Sequence, residues 1–140
     1  MNLPTSPSPN VRAAGFTLVE LLVTLAILGV ISALAIPSYN RHVVSSHRSA
    51  AKALLGESAQ FMERYFTTNN SYAGAQRIST VSPRGATGRN VRYNISWAVQ
   101  PDATTYQLQA VPVGAQASDS CGTLTLASTG AQGAATANCW

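Results

Sequence analysis

The stretch AAGFTLVELLVTLAILGVISALAIP, from Ala13 to Pro37, decides how this chain is organised. Its only charged side chain is Glu20. The segment Phe16 to Ile36 has the roughly 20 apolar residues that a helix needs to cross a bilayer, so we predict a membrane-spanning helix. A carboxylate within hydrocarbon costs on the order of 3 kcal/mol, so the presence of Glu20 points to a function.

The flanks of this stretch predict its orientation. Arg12 precedes the stretch and no acidic residue does, so the positive-inside rule places the N-terminus in the cytoplasm and the C-terminal remainder outside. Two simpler interpretations stay open: a secretory signal cut at Ala33-Leu34-Ala35, or a plain single-pass anchor. The first fits poorly with a leader that holds three prolines and one positive charge. The second leaves Glu20 unexplained.

Composition adds broad limits on what the chain can be. The 140 residues allow one modest domain, and the net charge of +4 is spread along the chain, which weakly favours acidic partners. Cys121 and Cys139 lie in Ser/Thr/Gly-rich sequence without further Cys or His at zinc-ligand spacing. We therefore predict a disulfide, with a reduced pair as the alternative. A disulfide would place this region in an oxidising compartment.

The helix is expected to continue beyond the apolar stretch. Pro37 should kink it, and Gly29 marks a second weak point. Beyond Pro37, apolar and small residues recur at three- and four-residue spacing and predict a face that covers a sheet: Ala51, Leu54, Leu55, Ser58, Phe61, Met62 and Tyr65. A basic stripe is predicted on the opposite side, formed by Arg41, Arg48 and Lys52. This stripe is either solvated or a contact for other subunits or lipid headgroups.

Strand signals occupy the C-terminal half. Asn69-Asn70-Ser71 should end the helix, and Tyr72 to Asn90 is typical of a long loop. Strict alternation then predicts a strand from Val91 to Val99, and shorter patterns predict further strands at 106–110 and 123–126. One long helix beside a small antiparallel sheet of three to four strands gives an α+β fold.

The sequence offers little for catalysis. His42 and His47 are five residues apart on a helix and point to different sides, and Glu57 and Glu63 do not converge either. No phosphate loop, nucleophile elbow or zinc signature is present. From residue 103 onward Asp119 is the only acidic side chain, which argues against calcium. We expect a non-enzymatic protein without metal or cofactor.

Nucleic-acid binding is the main rival to a purely structural role. Arginines that could grip phosphates occur in the loop and the first strand, at Arg77, Arg84, Arg89 and Arg92. Tyr72 and Tyr93 lie nearby in sequence and could stack on bases. The same arginines are also ordinary for a basic exported domain, so DNA remains one possible partner.

The N-terminal motif carries a family resemblance. Gly15-Phe16-Thr17-Leu18-Val19-Glu20, followed by Leu21-Leu22-Val23, resembles the class III signal of type IV prepilins and related pseudopilins. The resemblance implies that a prepilin peptidase cuts between Gly15 and Phe16. It also implies that the new amine of Phe16 is methylated.

The resemblance also implies roles in assembly. Glu20 would face the charged amine of Phe16 of a neighbouring subunit, which offsets the cost of a carboxylate in an apolar core and fixes register. The portion from Gly29 to Pro37 would melt within the filament. The C-terminal sequences at 118–124 and 138–140 resemble minor pilins of the PilE type, in which a disulfide-closed loop shapes an exposed surface.

Together these features predict three segments and a function. Residues 1–15 are a removed leader, 16–40 the transmembrane and filament-core half of the helix, and 41–140 a periplasmic globular domain. The expected protein is a structural subunit of a type IV pilus, and more narrowly a minor pilin, that supports pilus assembly, twitching motility or adhesion. Its expected partners are other pilin subunits, the prepilin peptidase, the assembly platform and the inner membrane, before export to an extracellular pilus. The alternatives are a DNA-binding pilin for natural transformation and a pseudopilin of a type II secretion system.

Overall fold

The computed structural model describes residues 15–77 and 79–140. Predictions for the leader therefore lie outside the described residues, apart from Gly15. The described chain forms one long helix, α1 (Leu18–Asn69), followed by five strands: β1 (Val81–Ser82), β2 (Tyr93–Val99), β3 (Gln107–Pro112), β4 (Leu124–Ala127) and β5 (Gln132–Gly133). Two short 3-10 helices interrupt the loops, at Gly88–Asn90 and Gly114–Gln116.

Helix α1 is 52 residues long and remains helical on both sides of Pro37. Its apolar first part makes it long and apolar enough to cross a membrane. The predicted end at Asn69 is confirmed, and Asn70 follows with a φ of 52°. This left-handed conformation is one that asparagine tolerates at a helix end. The kink expected at Pro37 stays a prediction.

The described chain divides into two compact units, with the boundary between Ser38 and Tyr39. The first unit is the apolar part of α1, whose described residues are exposed up to Pro37. The second unit, Tyr39–Trp140, contains the rest of α1, the sheet and the disulfide. The globular unit therefore has a core of its own, and the first unit contributes no buried residue among those described.

The sheet is antiparallel throughout, in the order β1-β2-β3-β4-β5. Leu108 of β3 lies opposite Trp97 of β2 on one side and Leu126 of β4 on the other. The α+β fold is confirmed, but the sheet has five strands rather than three to four. The two missed strands, β1 and β5, have two residues each, which is too short to produce an alternating pattern.

The core of the globular unit lies between α1 and one face of the sheet. The predicted helix face is confirmed in its main part, because Ala51, Leu54, Leu55, Ser58 and Met62 are buried. Phe61 and Tyr65 are partly buried and pack against this core. The sheet contributes the inward-facing side chains Tyr93, Ile95, Leu108, Ala110, Leu124 and Leu126.

The predicted disulfide is confirmed. Cys121 and Cys139 are bonded across 18 residues, and both are buried. The loop that they close contains β4 and β5, and Trp140 donates its Nε1 hydrogen to the carbonyl of Gly133 at 2.8 Å. The C-terminal end is thus held to the sheet by covalent and hydrogen bonds.

Candidate functional site

The largest exposed apolar surface belongs to the first part of α1. Every large apolar side chain from Phe16 to Ile36 has more than half of its surface exposed. Monomeric soluble proteins rarely expose a contiguous apolar surface of this kind, so a membrane or partner subunits must cover it. This surface is the first candidate functional site.

Glu20 lies in the first turn of α1, within this apolar surface. Its backbone N–H donates to Thr17 Oγ1 at 3.2 Å, so Thr17 caps the helix start. A carboxylate is also favourable near the positive end of the helix dipole, by about 0.3–1 kcal/mol. That gain is smaller than the roughly 3 kcal/mol cost of a carboxylate in hydrocarbon. The sequence from residue 13 to residue 40 contains no basic side chain, so the counter-ion must come from elsewhere.

Gly29 and Pro37 both lie inside α1. A Cβ placed on Gly29 would meet nothing within 4 Å, so close packing does not require a glycine there. Glycine weakens a helix by about 1 kcal/mol relative to alanine, and proline removes a backbone hydrogen bond. The interval between them is intrinsically the weakest part of the helix. Its melting in a filament stays a prediction.

A buried polar cluster lies at the base of the globular unit, around Asp119. Arg48 donates from Nε to Oδ2 at 3.0 Å and from Nη2 to Oδ1 at 2.6 Å. Tyr93 Oη and Gln116 Nε2 donate to Oδ2 at 2.7 and 3.1 Å, and the N–H of Cys121 donates to Oδ1 at 3.1 Å. Five donors therefore satisfy a carboxylate whose side chain is only 1% exposed.

This cluster shifts the pKa values of its members. Burial alone would raise the pKa of the Asp119 carboxyl, but the hydrogen bonds from Arg48 and Tyr93 outweigh burial and hold it at about 2. Burial, reinforced by the hydrogen bond to Asp119, raises the pKa of the Tyr93 hydroxyl to about 12. Asp119 is therefore charged and Tyr93 neutral at neutral pH. The cluster links α1, β2 and the start of the disulfide loop.

The predicted basic stripe is wrong at Arg48. Its side chain is 18% exposed and turns to Asp119, while Arg41 is exposed. Both arginines do lie on α1, but Arg48 pairs with a residue 71 positions away in sequence, which helical spacing does not reveal. A hint was present, because Asp119 is the lone acidic side chain of the C-terminal region and such a group needs a cation when buried.

Three of the four predicted DNA-binding arginines share one loop. The loop connects β1 to β2 and is closed where the N–H of Arg92 donates to the carbonyl of Ser82 at 2.8 Å. Arg84, Arg89 and Arg92 all lie between these ends, and the loop contains no acidic residue. Arg89 is exposed, while Arg84 pairs with Glu57 of α1 with both side chains about half exposed.

Arg77 lies apart from this loop. Its guanidinium carbon is 5.6 Å from the centre of the Trp97 ring, near the opposite end of β2. Arg92 and Trp97 are five residues apart on an extended strand, which corresponds to roughly 17 Å. The structure therefore brings together Arg84, Arg89 and Arg92 but not Arg77.

The prediction that Tyr72 and Tyr93 could stack on bases is wrong. Tyr93 is 0% exposed and forms part of the Asp119 cluster. Tyr72 is also buried, and its hydroxyl donates to Glu63 at 3.0 Å. The alternation that made Tyr93 look like a strand residue also places it on the buried face, so it cannot stack on a base.

Metal-ligating side chains do not cluster in the described part of the chain. Within residues 15–77 and 79–140, no group of three or more His, Cys, Asp or Glu side chains is arranged to hold a metal ion. Glu63 accepts hydrogen bonds from Tyr72 and Tyr106. Burial, reinforced by the hydrogen bond to Glu63, raises the pKa of the Tyr72 hydroxyl. These contacts hold the end of α1 against the sheet.

Comparison with protein families divides the chain at nearly the same place. Residues 10–36 match the prokaryotic N-terminal methylation motif. Residues 37–125 match the family described as "Type IV minor pilin ComP, DNA uptake sequence receptor". The chain belongs to the type IV pilin family. The family resemblance inferred from the Gly15-Phe16 motif is thus confirmed.

Curated relatives of this pilin agree with the assignment. It is 32% identical over 95 residues to the type IV wide pilus major component PilA4 of Thermus thermophilus, covering 68% of this chain and 70% of the relative. It is 34% identical over 77 residues to the type IV major pilin PilA of Myxococcus xanthus, covering 54% of this chain and 35% of that protein. These relatives are major pilins, whereas the matching family is named for a minor one.

Two solved pilin structures resemble this pilin over 69% of its length. A type IV pilin from Shewanella oneidensis has a TM-score of 0.55 and 32% identity, covering 69% of this chain and 97% of the other. The minor pilin PilV of Neisseria meningitidis has a TM-score of 0.52 and 21% identity over 69% of this chain and 91% of the other, a likeness of fold. The protein is a structural subunit of a type IV pilus whose apolar helix anchors it in the membrane before assembly.

Proposed function

We propose that this pilin is a minor subunit that is cut between Gly15 and Phe16 by a prepilin peptidase and methylated on Phe16. The observation that carries the proposal is the apolar surface from Phe16 to Ile36, whose large side chains are all more than half exposed, joined to a globular unit that buries its own core. The match of residues 10–36 to a methylation motif supports the processing step. The mature chain is held in the inner membrane with its N-terminus on the cytoplasmic side.

Glu20 guides assembly in this proposal. In the filament its carboxylate pairs with the amine of Phe16 of a neighbouring subunit, since residues 13–40 provide no basic side chain. Methylation keeps that amine positively charged. Removing one member of a buried ion pair typically costs about 3–5 kcal/mol, so the pair selects one register among many similar apolar packings.

The route to the filament involves partners other than pilin subunits. The prepilin peptidase acts first, and an inner-membrane assembly platform then moves the subunit into an extracellular pilus. The filament would support twitching motility or adhesion. The pseudopilin of a secretion system stays an alternative, since prepilins and pseudopilins share this type of N-terminal signal.

Mass spectrometry of the mature N-terminus tests the processing proposal. We expect N-methylated Phe16 as the first residue of the filament-associated protein. A first residue of Ile36 would indicate ordinary secretion, and an intact Met1 would indicate a plain anchor. Gly15→Val should persist at precursor mass because a β-branched side chain obstructs the peptidase, whereas Gly29→Val, away from the cleavage site, should be cut normally.

DNA binding is a second candidate function, favoured by one observation. Arg84, Arg89 and Arg92 share a short loop without acidic residues, and the chain matches a family named for a DNA uptake receptor over residues 37–125. Arg84 would have to leave Glu57, which is inexpensive because an ion pair between half-exposed side chains contributes about 0–1 kcal/mol. Because Tyr72 and Tyr93 are buried, we expect the chain to bind DNA through phosphate contacts rather than through base stacking.

A salt titration tests this second function. The detergent-solubilised full chain is mixed with a labelled DNA duplex, and the apparent affinity is measured by fluorescence anisotropy from low to high salt. Neutralising Arg84, Arg89 and Arg92 together should weaken binding and reduce the salt slope by up to about 3. A control variant removes three other positive charges, at Arg41, Lys52 and Arg64. If both variants lost the same affinity for DNA, the binding would reflect net charge and not these three arginines.

A further inference from the structure

A groove opens at the base of the globular unit, beside the Asp119 cluster. Its volume is about 420 Å³. One wall is about two turns of α1, from Asn40 to Arg48, and the other is the loop that precedes Cys121. The lining residues are Asn40, Arg41, Val44, Arg48, Ser118, Asp119 and Ser120.

The negative charge in this groove is already compensated. Asp119 accepts five hydrogen bonds, two of them from Arg48, and its side chain is 1% exposed. Arg48 and Asp119 together contribute no net charge. The charge that the groove offers to a ligand is therefore that of Arg41.

Several donors around the groove are uncommitted. Within residues 15–77 and 79–140, the ion pairs are Arg48–Asp119 and Arg84–Glu57, so Arg41 belongs to neither. The Nη1 nitrogen of Arg48 is not used by Asp119. Ser118 and Ser120 are exposed and add two hydroxyls, and Asn40 adds an amide. A guanidinium with hydroxyl and amide donors is a set that suits a phosphate group.

The position of the groove along the chain indicates the source of that phosphate. Arg41 follows Ile36, the last residue of the apolar run, by five residues, or roughly 7.5 Å of helix. A helix that spans the hydrocarbon core up to Ile36 places the next turn among the lipid headgroups. An arginine at this depth lies within reach of headgroup phosphates, to which a guanidinium donates charge-assisted hydrogen bonds.

We propose that the groove formed by Asn40, Arg41, Ser118 and Ser120 binds the phosphate of an anionic phospholipid headgroup while the subunit is stored in the membrane. The bound lipid would hold the globular unit at the bilayer surface and would have to be released on entry into the filament. The proposal uses the membrane-anchored stage alone and does not depend on the Glu20 pair or on DNA binding.

Lipid retention by the full chain in a neutral detergent tests the proposal. The protein is incubated with phosphatidylglycerol or with diacylglycerol of the same acyl chains, and the bound lipid is counted by native mass spectrometry. The wild type should retain phosphatidylglycerol preferentially. Arg41→Gln should lower this preference about tenfold, as expected for the loss of one charge-assisted hydrogen bond. The double change Ser118→Ala with Ser120→Ala should lower it less.

Matched controls separate the groove from general electrostatics. Arg64→Gln removes another exposed arginine of α1 and should leave the preference unchanged. A second arm measures inorganic phosphate binding by the line width of its phosphorus resonance. Weak phosphate binding that is lost with Arg41→Gln, together with the loss of lipid preference, supports a headgroup site.

Three results would overturn the proposal. Equal lipid preference in wild type and Arg41→Gln would remove the groove as a lipid site. Phosphate binding that depends on Arg41 without any effect on phosphatidylglycerol would make it a free-phosphate site. Normal lipid preference combined with poor filament incorporation of Arg41→Gln would make the groove a contact between subunits.

Discussion

Between Phe16 and Ile36 every large apolar side chain is more than half exposed, whereas Leu55, Leu108 and Leu124 of the globular unit are 0% exposed. Both regions are rich in apolar residues, and α1 runs through both. The globular unit covers its apolar face with its own sheet. Among residues 15–77 and 79–140 nothing covers the apolar run, so lipid or other subunits must bury it.

The acidic residues show the same contrast. Asp119 pairs with the cation Arg48 and accepts three further hydrogen bonds within the fold. Glu20 has no basic side chain from residue 13 to residue 40, although its cost in an apolar surrounding is comparable. A carboxylate in an apolar region obtains its counter-ion either from the same fold or from another molecule. The predictions below test each half of this comparison.

The largest expected effect on the globular unit is that of Asp119→Ala. It leaves Arg48 buried without its partner, and breaking a buried pair costs about 3–5 kcal/mol. The measurement is the free energy of unfolding of the detergent-solubilised chain. Glu57→Ala, which breaks the half-exposed pair with Arg84, is the control and should cost about 0–1 kcal/mol. Similar losses in both variants would mean that burial of the pair does not matter.

Leucine truncation compares the two apolar regions directly. Leu55→Ala should lower the free energy of unfolding of the globular unit by about 2–5 kcal/mol, because it leaves a cavity in a closed core. Leu28→Ala, in the exposed run, should leave that free energy unchanged. Near-ultraviolet circular dichroism from Trp97 and Trp140 would follow unfolding. A comparable loss from Leu28→Ala would show that the apolar run helps to fold the globular unit.

Removal of the disulfide should have an effect of about 3 kcal/mol, since it frees a loop of 18 residues. Cys121→Ser should therefore increase protease sensitivity near the C-terminus while membrane insertion persists. Limited proteolysis and membrane fractionation measure the two properties. Thiol labelling of unfolded wild-type protein provides the check, and two free thiols would contradict the predicted bond.

The smallest expected effect is the loss of folding stability at low pH. The pKa of Asp119 is held at about 2 in the folded chain, below its ordinary value of about 4 in an unfolded one. Because the folded pKa is depressed, the stabilisation is complete above pH 4 and is lost as the pH falls towards 2, by roughly 2 kcal/mol. Asp119→Asn should flatten this part of the stability profile. An unchanged acid dependence in that variant would assign the loss to other carboxyl groups.

Much of the fold was predictable because local patterns decide it. The apolar run, the buried face around Leu55 and the alternation that gives β2 all follow from spacing along the chain. The pairing of Arg48 with Asp119 was missed because the two residues are 71 apart, and spacing on a helix does not reveal which side a distant loop will cover. Strands β1 and β5 were missed because two residues carry no period.

The candidate sites were predictable only in part. The motif from Gly15 to Glu20 indicated the family, and comparison confirmed it. The DNA interpretation grouped Arg77 with Arg92, but Arg92 directly precedes β2 whereas Arg77 contacts Trp97 near the other end of that strand. Burial of Tyr93 follows from the same alternation that predicts β2, whereas its hydrogen bond to Asp119 is a tertiary feature.

Filament incorporation of Glu20→Leu tests the central claim most directly. The measured quantity is the amount of variant in sheared surface filaments, divided by processed protein in the inner membrane and compared with wild type. Processing should persist, and the ratio should fall more than about tenfold, because loss of a buried counter-ion costs about 3–5 kcal/mol. Thr17→Ala, which removes only the helix cap, should incorporate nearly normally. An unchanged ratio for Glu20→Leu, or an equal loss for Thr17→Ala, would contradict the claim that Glu20 finds its partner in another subunit.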